Sequence, residues 1–153
     1  MRPLLVGIIA AVLFSQPLSA YIHFNITERG QSVVVKWQRM PVRWFAKNSG
    51  VPGVTAWDFQ ATLSRAFATW QAVPTASISF QFAGFTGAEP SDEDGISVLG
   101  FQSNPGMDRV LGATGFIVDV ITGEIVESDI FFNSIFPWST SAAGDPLRFD
   151  LES

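Results

Sequence analysis

The feature that most constrains the fold is a change of period between residues 33 and 82. In "QSVVVKWQRMPVRWFAKN" the pattern alternates: Val33, Val35 and Trp37 share one face, and Val42 and Trp44 repeat it after Pro41. Alternation of this kind specifies one or two strands, with Pro41 at an edge or a break. The turn-rich "NSGVPG" follows, and then the period lengthens. In "WDFQATLSRAFATWQAV", residues 57–73, Phe59, Leu63, Ala66, Phe67 and Trp70 recur at helical spacing. Thr55 stands where an N-cap belongs, and Pro74 closes the run. Directly afterwards "SISFQF" sets Ile78, Phe80 and Phe82 on one side of a strand. Strand, helix and strand on short links predict a right-handed parallel crossover.

The chain continues with "AGFTGAEPSDEDG", a surface loop, then "ISVLGF", an almost wholly apolar strand suited to a buried sheet position. After the loop "QSNPGMDR" come "VLGATGFIVDV" and "EIVESDIFFN", joined through Ile121-Thr122-Gly123 as a hairpin. Residues 21–32 are polar and unpatterned and read as a flexible lead-in. They contain a glycosylation sequon at Asn25-Ile26-Thr27.

The first twenty residues, "MRPLLVGIIAAVLFSQPLSA", combine Arg2, an apolar run and a small-residue end at Ser19-Ala20. That is the pattern of a secretory signal peptide cleaved after Ala20, and the run is short for a membrane span. The expected location is therefore secreted, extracellular or periplasmic, with no membrane association after cleavage. The remaining residues suffice for one domain with a core. Cysteine is absent, so packing rather than disulfides must hold an exported chain together. Asp and Glu number 14 against 9 Lys and Arg. An acidic chain with no basic stripe is a poor partner for nucleic acid.

Groups able to carry out catalysis are scarce. The only histidine is His23, in the lead-in, which argues against a Ser-His-Asp triad and against a zinc site built from this chain alone. Glu124, Glu127 and Asp129 lie near the final hairpin, where a pair would suit general acid and base work, but their alternation reads more simply as a solvated strand face. Asp92, Glu93 and Asp94 in "SDEDG" offer hard oxygens for calcium without EF-hand spacing, and a solvated acidic loop is the simpler reading. The five tryptophans suggest a sugar platform, although Trp37 and Trp70 sit on patterned apolar faces and are expected in the core.

The order of the motifs is more informative than any one of them. "KWQRMPVRWFAKNSG", "FQATLSRAFATWQAVPTASISFQF", "DGISVLGF", "VLGATGFIVDVITGEIVESDIFFN" and "FDLES" succeed one another over residues 33–153. Together they resemble the N-terminal part of a matrixin-type catalytic domain, a metzincin zinc protease, in its bacterial secreted form. The resemblance implies an α+β fold of α/β character: a twisted, mostly parallel sheet with one antiparallel edge strand and at least one packed helix. It also implies an active-site helix, H-E-x-x-H-x-x-G-x-x-H, a few residues beyond "FDLES", with two His one turn apart on zinc and Glu as base for the bound water. None of those residues stands in this sequence. The chain alone is therefore expected to be an incomplete upper lobe, binding no stoichiometric zinc and cleaving no peptide.

By the same resemblance, Leu111, Gly112, Ala113, Thr114 and Gly115 form the exposed edge strand that pairs with an extended peptide substrate. Gly112 and Gly115 suit it by letting another backbone approach. Ala113 and Phe131 stand where animal matrixins place the histidines of a structural zinc, which argues against one here. Asp129 and Asn133 fall where the family often holds calcium. The complete protein is expected to be a monomeric zinc endopeptidase. The reading from another class is a non-catalytic secreted module that binds peptide or glycan through the same edge.

Overall fold

The computed structural model of the chain describes residues 24–141 and 143–152. The signal read over residues 1–20 and His23 lie outside the described residues. Two short strands, β1 (Asn25–Glu28) and β2 (Gln31–Val34), come first and pair antiparallel. This hairpin corrects the reading of residues 21–32 as an unpatterned lead-in. Its loop is Arg29-Gly30, with φ of 51° and 77°. Positive φ at both central residues is what a type I′ turn requires, and Arg is a rare first residue for it.

The main body follows: β3 (Val42–Lys47), helix α1 (Ala56–Gln71), β4 (Phe80–Thr86), β5 (Val98–Gln102), a 3-10 turn at Pro105–Met107, β6 (Gly112–Val118) and β7 (Ile125–Asn133). The last two strands, β8 (Trp138–Ser139) and β9 (Phe149–Asp150), pair with each other in parallel. Five strands make the main sheet in the order β4-β3-β5-β7-β6. Pairing is parallel except between β6 and β7, so one antiparallel strand lies at an edge. The fold is thus mixed α+β with a mostly parallel sheet, and it contains the parallel β3-α1-β4 crossover and the β6-β7 hairpin that the residue patterns predict. No helix among the described residues is long and apolar enough to cross a membrane.

Helix α1 begins where its sequence supplies a stop for the free N–H groups. The Thr55 hydroxyl accepts from the Asp58 N–H at 3.1 Å, and Asp58 Oδ2 accepts from the Thr55 N–H at 3.3 Å, closing a capping box. From there Phe59, Thr62 and Leu63 turn inward. Phe59 meets Phe101 of β5 at 4.7 Å between ring centroids and Phe132 of β7 at 5.3 Å. Trp44, Leu99 and Trp138 complete this core.

The tryptophan assignment changes. Trp44 and Trp138 are the buried pair, Trp37 is half-buried, and Trp70 is 66% exposed. Phe67 already stacks on Phe80, the first residue of β4, at 4.3 Å. Trp70 lies nearly one turn further along the helix, past the end of the strand that would have covered it.

Candidate functional site

β6 ends the sheet, and residues 111–116 are exposed. Its direction of hydrogen bonding follows from one contact: the Asn133 N–H donates to Leu111 O at 2.7 Å. The register pairs Ala113 with Phe131, Gly115 with Asp129 and Ile117 with Glu127. Alternation along an antiparallel strand therefore turns the backbone groups of Leu111, Ala113, Gly115 and Ile117 toward β7. Those of Gly112, Thr114 and Phe116 face outward, where no strand is paired among the described residues. The five edge residues expected from the sequence lie together, but only Gly112 and Thr114 of them present backbone groups to a newcomer. Phe116, the third, lay outside the expected stretch.

The two glycines differ from their expected role. A Cβ on Gly112 would lie 2.5 Å from Phe131 O, so glycine is required there by the neighbouring strand within the sheet. A Cβ on Gly115 would meet nothing within 4 Å. Its side of the strand opens onto a cavity of about 380 Å³.

That cavity lies between β6, β7 and the loop of residues 87–97, and Glu127, Asp129, Phe131, Ala113 and Asp92 are among its walls. Glu127 is 4% exposed and Asp129 is 6% exposed. This corrects the reading of a solvated strand face. β7 has neighbours on both sides, and the acidic loop folds back over the face that carries the carboxylates. The loop donates two backbone N–H groups into the strand: Gly95 to Glu127 Oε2, and Val98, at its end, to Asp129 Oδ1 at 2.8 Å. The loop is fastened elsewhere too. Asp92 Oδ2 accepts from the Glu89 N–H at 3.0 Å, Asp94 Oδ1 accepts from the Ile96 N–H at 3.1 Å, and Glu89 pairs with Lys47. "SDEDG" is exposed at every residue, as a solvated acidic loop should be, and is also hydrogen-bonded in place as a cover over buried carboxylates.

Burial pushes the Asp129 carboxyl up to about 6. The Val98 N–H opposes that rise, and the charges of Glu127, Asp94 and Asp92 add to it. A carboxyl whose folded pKa is raised binds its proton more tightly in the folded state. Its contribution to stability is fully present below about pH 4 and is lost as pH rises through about 6. The gap from the ordinary 3.8 corresponds to about 3 kcal/mol at most. Asp129→Asn keeps an oxygen for the Val98 N–H and removes the charge. It is expected to stabilise the chain by roughly 1–3 kcal/mol at pH 7.5 and by little at pH 4. Urea midpoints at the two pH values check this, and an effect equal at both would contradict it.

Asn133 is not a partner of Asp129 in one site. Its side chain is fully buried and faces the loop of residues 104–110. Nδ2 donates to the carbonyls of Asn104, Met107 and Val110 at 3.1, 3.0 and 3.2 Å. Oδ1 accepts from the N–H groups of Asn104 and Ile135 at 3.1 and 3.4 Å. Its backbone oxygen takes the indole N–H of Trp138 at 2.9 Å. Asn133 staples the loop that leads into β6, and its oxygen is committed to that task rather than to calcium. An asparagine directly after the apolar run Ile130-Phe131-Phe132 is the signal that points to such a staple. Among the described residues, no group of three His, Cys, Asp or Glu side chains is arranged to hold a metal ion.

Compared with protein-family models, with curated proteins and with solved structures, the chain matches none.

Proposed function

We propose that the chain is the peptide-holding lobe of a secreted zinc-dependent endopeptidase of the matrixin type, with the zinc-binding helix in sequence beyond residue 153. The observation that carries this reading is the open edge of β6: an antiparallel strand on an otherwise parallel sheet, with three sets of outward backbone groups. An extended peptide adds to such an edge as a further strand, its main chain fixed by hydrogen bonds and its side chains alternating in direction. Local geometry near residue 150 agrees with it. Asp150 Oδ1 accepts from the Glu152 N–H at 2.9 Å, the bond an N-cap residue makes to the first turn of a helix. Leu151 packs on the core beside it.

The described residues do not fit a catalytic zinc. They contain no histidine or cysteine and no group of three acidic side chains arranged to hold a metal ion. No step of hydrolysis is assigned to them, and the role proposed for this chain is to hold a peptide extended. The test is the reading frame past the codon for Ser153. A longer product carrying the H-E-x-x-H-x-x-G-x-x-H motif is expected to cleave unfolded casein and to lose that activity to a zinc chelator. Zinc-dependent cleavage by the 153-residue chain itself would overturn the division of labour.

A second reading, a non-catalytic module that binds peptides at the same edge, is favoured by one observation. Among the described residues, every buried side-chain nitrogen and oxygen has a hydrogen-bond partner, as in a self-sufficient domain. A stop codon after Ser153 with a monomeric, cooperatively melting product would select it.

A further inference from the structure

Within the sheet, at the starts of β3 and β7, the strands leave a gap. β3 pairs with β5 only from Phe45 and Val98 onward, and β5 pairs with β7 only from Leu99 and Ile130 onward. The start of β3 and the start of β7 therefore have no strand between them. The space is a cavity of about 290 Å³, walled by Trp37, Val42, Phe45, Ile96 and Val126 and bordered by Arg39, Arg43 and Glu124.

Its charges are unequal. Arg39 Nε lies 3.0 Å from Glu124 Oε1, so that pair is neutral. Arg43 makes no ion pair or side-chain hydrogen bond with a described residue. Its backbone N–H adds to the imbalance. The Phe45 N–H donates toward β5, to Ser97 O at 2.8 Å, and alternation directs the Arg43 N–H to the same side, into the gap. The cavity thus holds one unmatched guanidinium and apolar, partly aromatic walls in a chain whose net charge is −5.

We infer that this gap is a second ligand site, for a monocarboxylate with a flat apolar body. The fork of a guanidinium matches a carboxylate through two parallel N–H donors. The body would lie against Trp37 and between Ile96 and Val126. One free positive charge matches one negative charge, and with Arg39 held by Glu124 there is no second free cation to match a dianion such as phosphate. The volume suits a ligand of one ring, at the lower end for small-molecule pockets. The site is distinct from β6 and does not rest on the endopeptidase reading.

The probe is benzoate, titrated into the 153-residue chain while the Trp37 indole N–H is followed by NMR, its resonance assigned with Trp37→Phe. Saturable shifts are expected with a Kd on the order of 1 mM. Arg43→Gln, at an exposed position on β3, is expected to weaken binding at least tenfold with the rest of the spectrum unchanged. Glu124→Gln releases Arg39 and is expected to tighten it severalfold. Inorganic phosphate and benzylamine are expected not to saturate. Absence of a saturable benzoate shift, equal affinity in Arg43→Gln, or phosphate binding as tightly as benzoate would each overturn the assignment.

Discussion

Asn133→Asp is expected to cost about 4 kcal/mol or more, a large fraction of the stability of a domain this size. Asparagine shares two N–H hydrogens among the carbonyls of Asn104, Met107 and Val110. Aspartate is the same shape and has neither hydrogen when ionised. Three carbonyl oxygens would then face a buried carboxylate. Protonation offers one donor at most and has its own cost at neutral pH. Each buried group left unpaired loses roughly 1–3 kcal/mol. The damage spreads because the same residue fastens the loop before β6 and holds Trp138 through its backbone oxygen. Urea unfolding at pH 7 measures this, and a loss below about 1 kcal/mol would show that the loop is held by something else.

Phe59→Ala is expected to cost about 3–5 kcal/mol. Phe59 is fully buried where α1 crosses the sheet, with Phe101 at 4.7 Å and Phe132 edge-on at 5.3 Å. Removing the ring loses its transfer free energy and leaves a cavity among aromatic rings that cannot collapse into it. Trp57, two residues earlier, supplies the contrast. It is the larger side chain but is 70% exposed, and its one ring partner among the described residues is Phe85 at 4.6 Å. Trp57→Ala is expected to lose no more than about 1.5 kcal/mol, the range of a single aromatic pair. Thermal melts of the two variants should differ in that order; equal losses would mean that the helix is not docked through Phe59.

The contrast between these residues also shows how far the sequence was legible. Helix α1 was readable because its period, its Thr55 cap and the following Pro74 agree, and Asp58 completes the box. The final hairpin was readable for a similar reason. Asp119 Oδ1 accepts from the N–H groups of Ile121 and Thr122, and Gly123 sits at φ 73°, where glycine is favoured. These are local devices, and local devices are written in neighbouring letters. Glu127 and Asp129 depend on a distant one. Their alternation is that of a half-solvated strand, and only the return of residues 87–97 over β7 buries them. Trp70 fails for a related reason: the period assigns it to the inward face, but the length of β4 decides whether anything lies beneath. Which edge groups of β6 are open is likewise a matter of register against β7, which no single stretch encodes.

That register gives the most direct measurement of the central claim, that β6 is an edge held open for a peptide. Hydrogen exchange of the backbone amides, read by NMR residue by residue, distinguishes the two sets along the strand. In the free chain the amides of Ala113, Gly115 and Ile117 are expected to exchange slowly and those of Gly112, Thr114 and Phe116 quickly. Adding an extended, uncharged peptide at saturating concentration is expected to slow the second set selectively, a signature with a period of two. Uniform protection of residues 111–117 before any peptide is added, or binding that leaves Gly112, Thr114 and Phe116 unprotected, would contradict it.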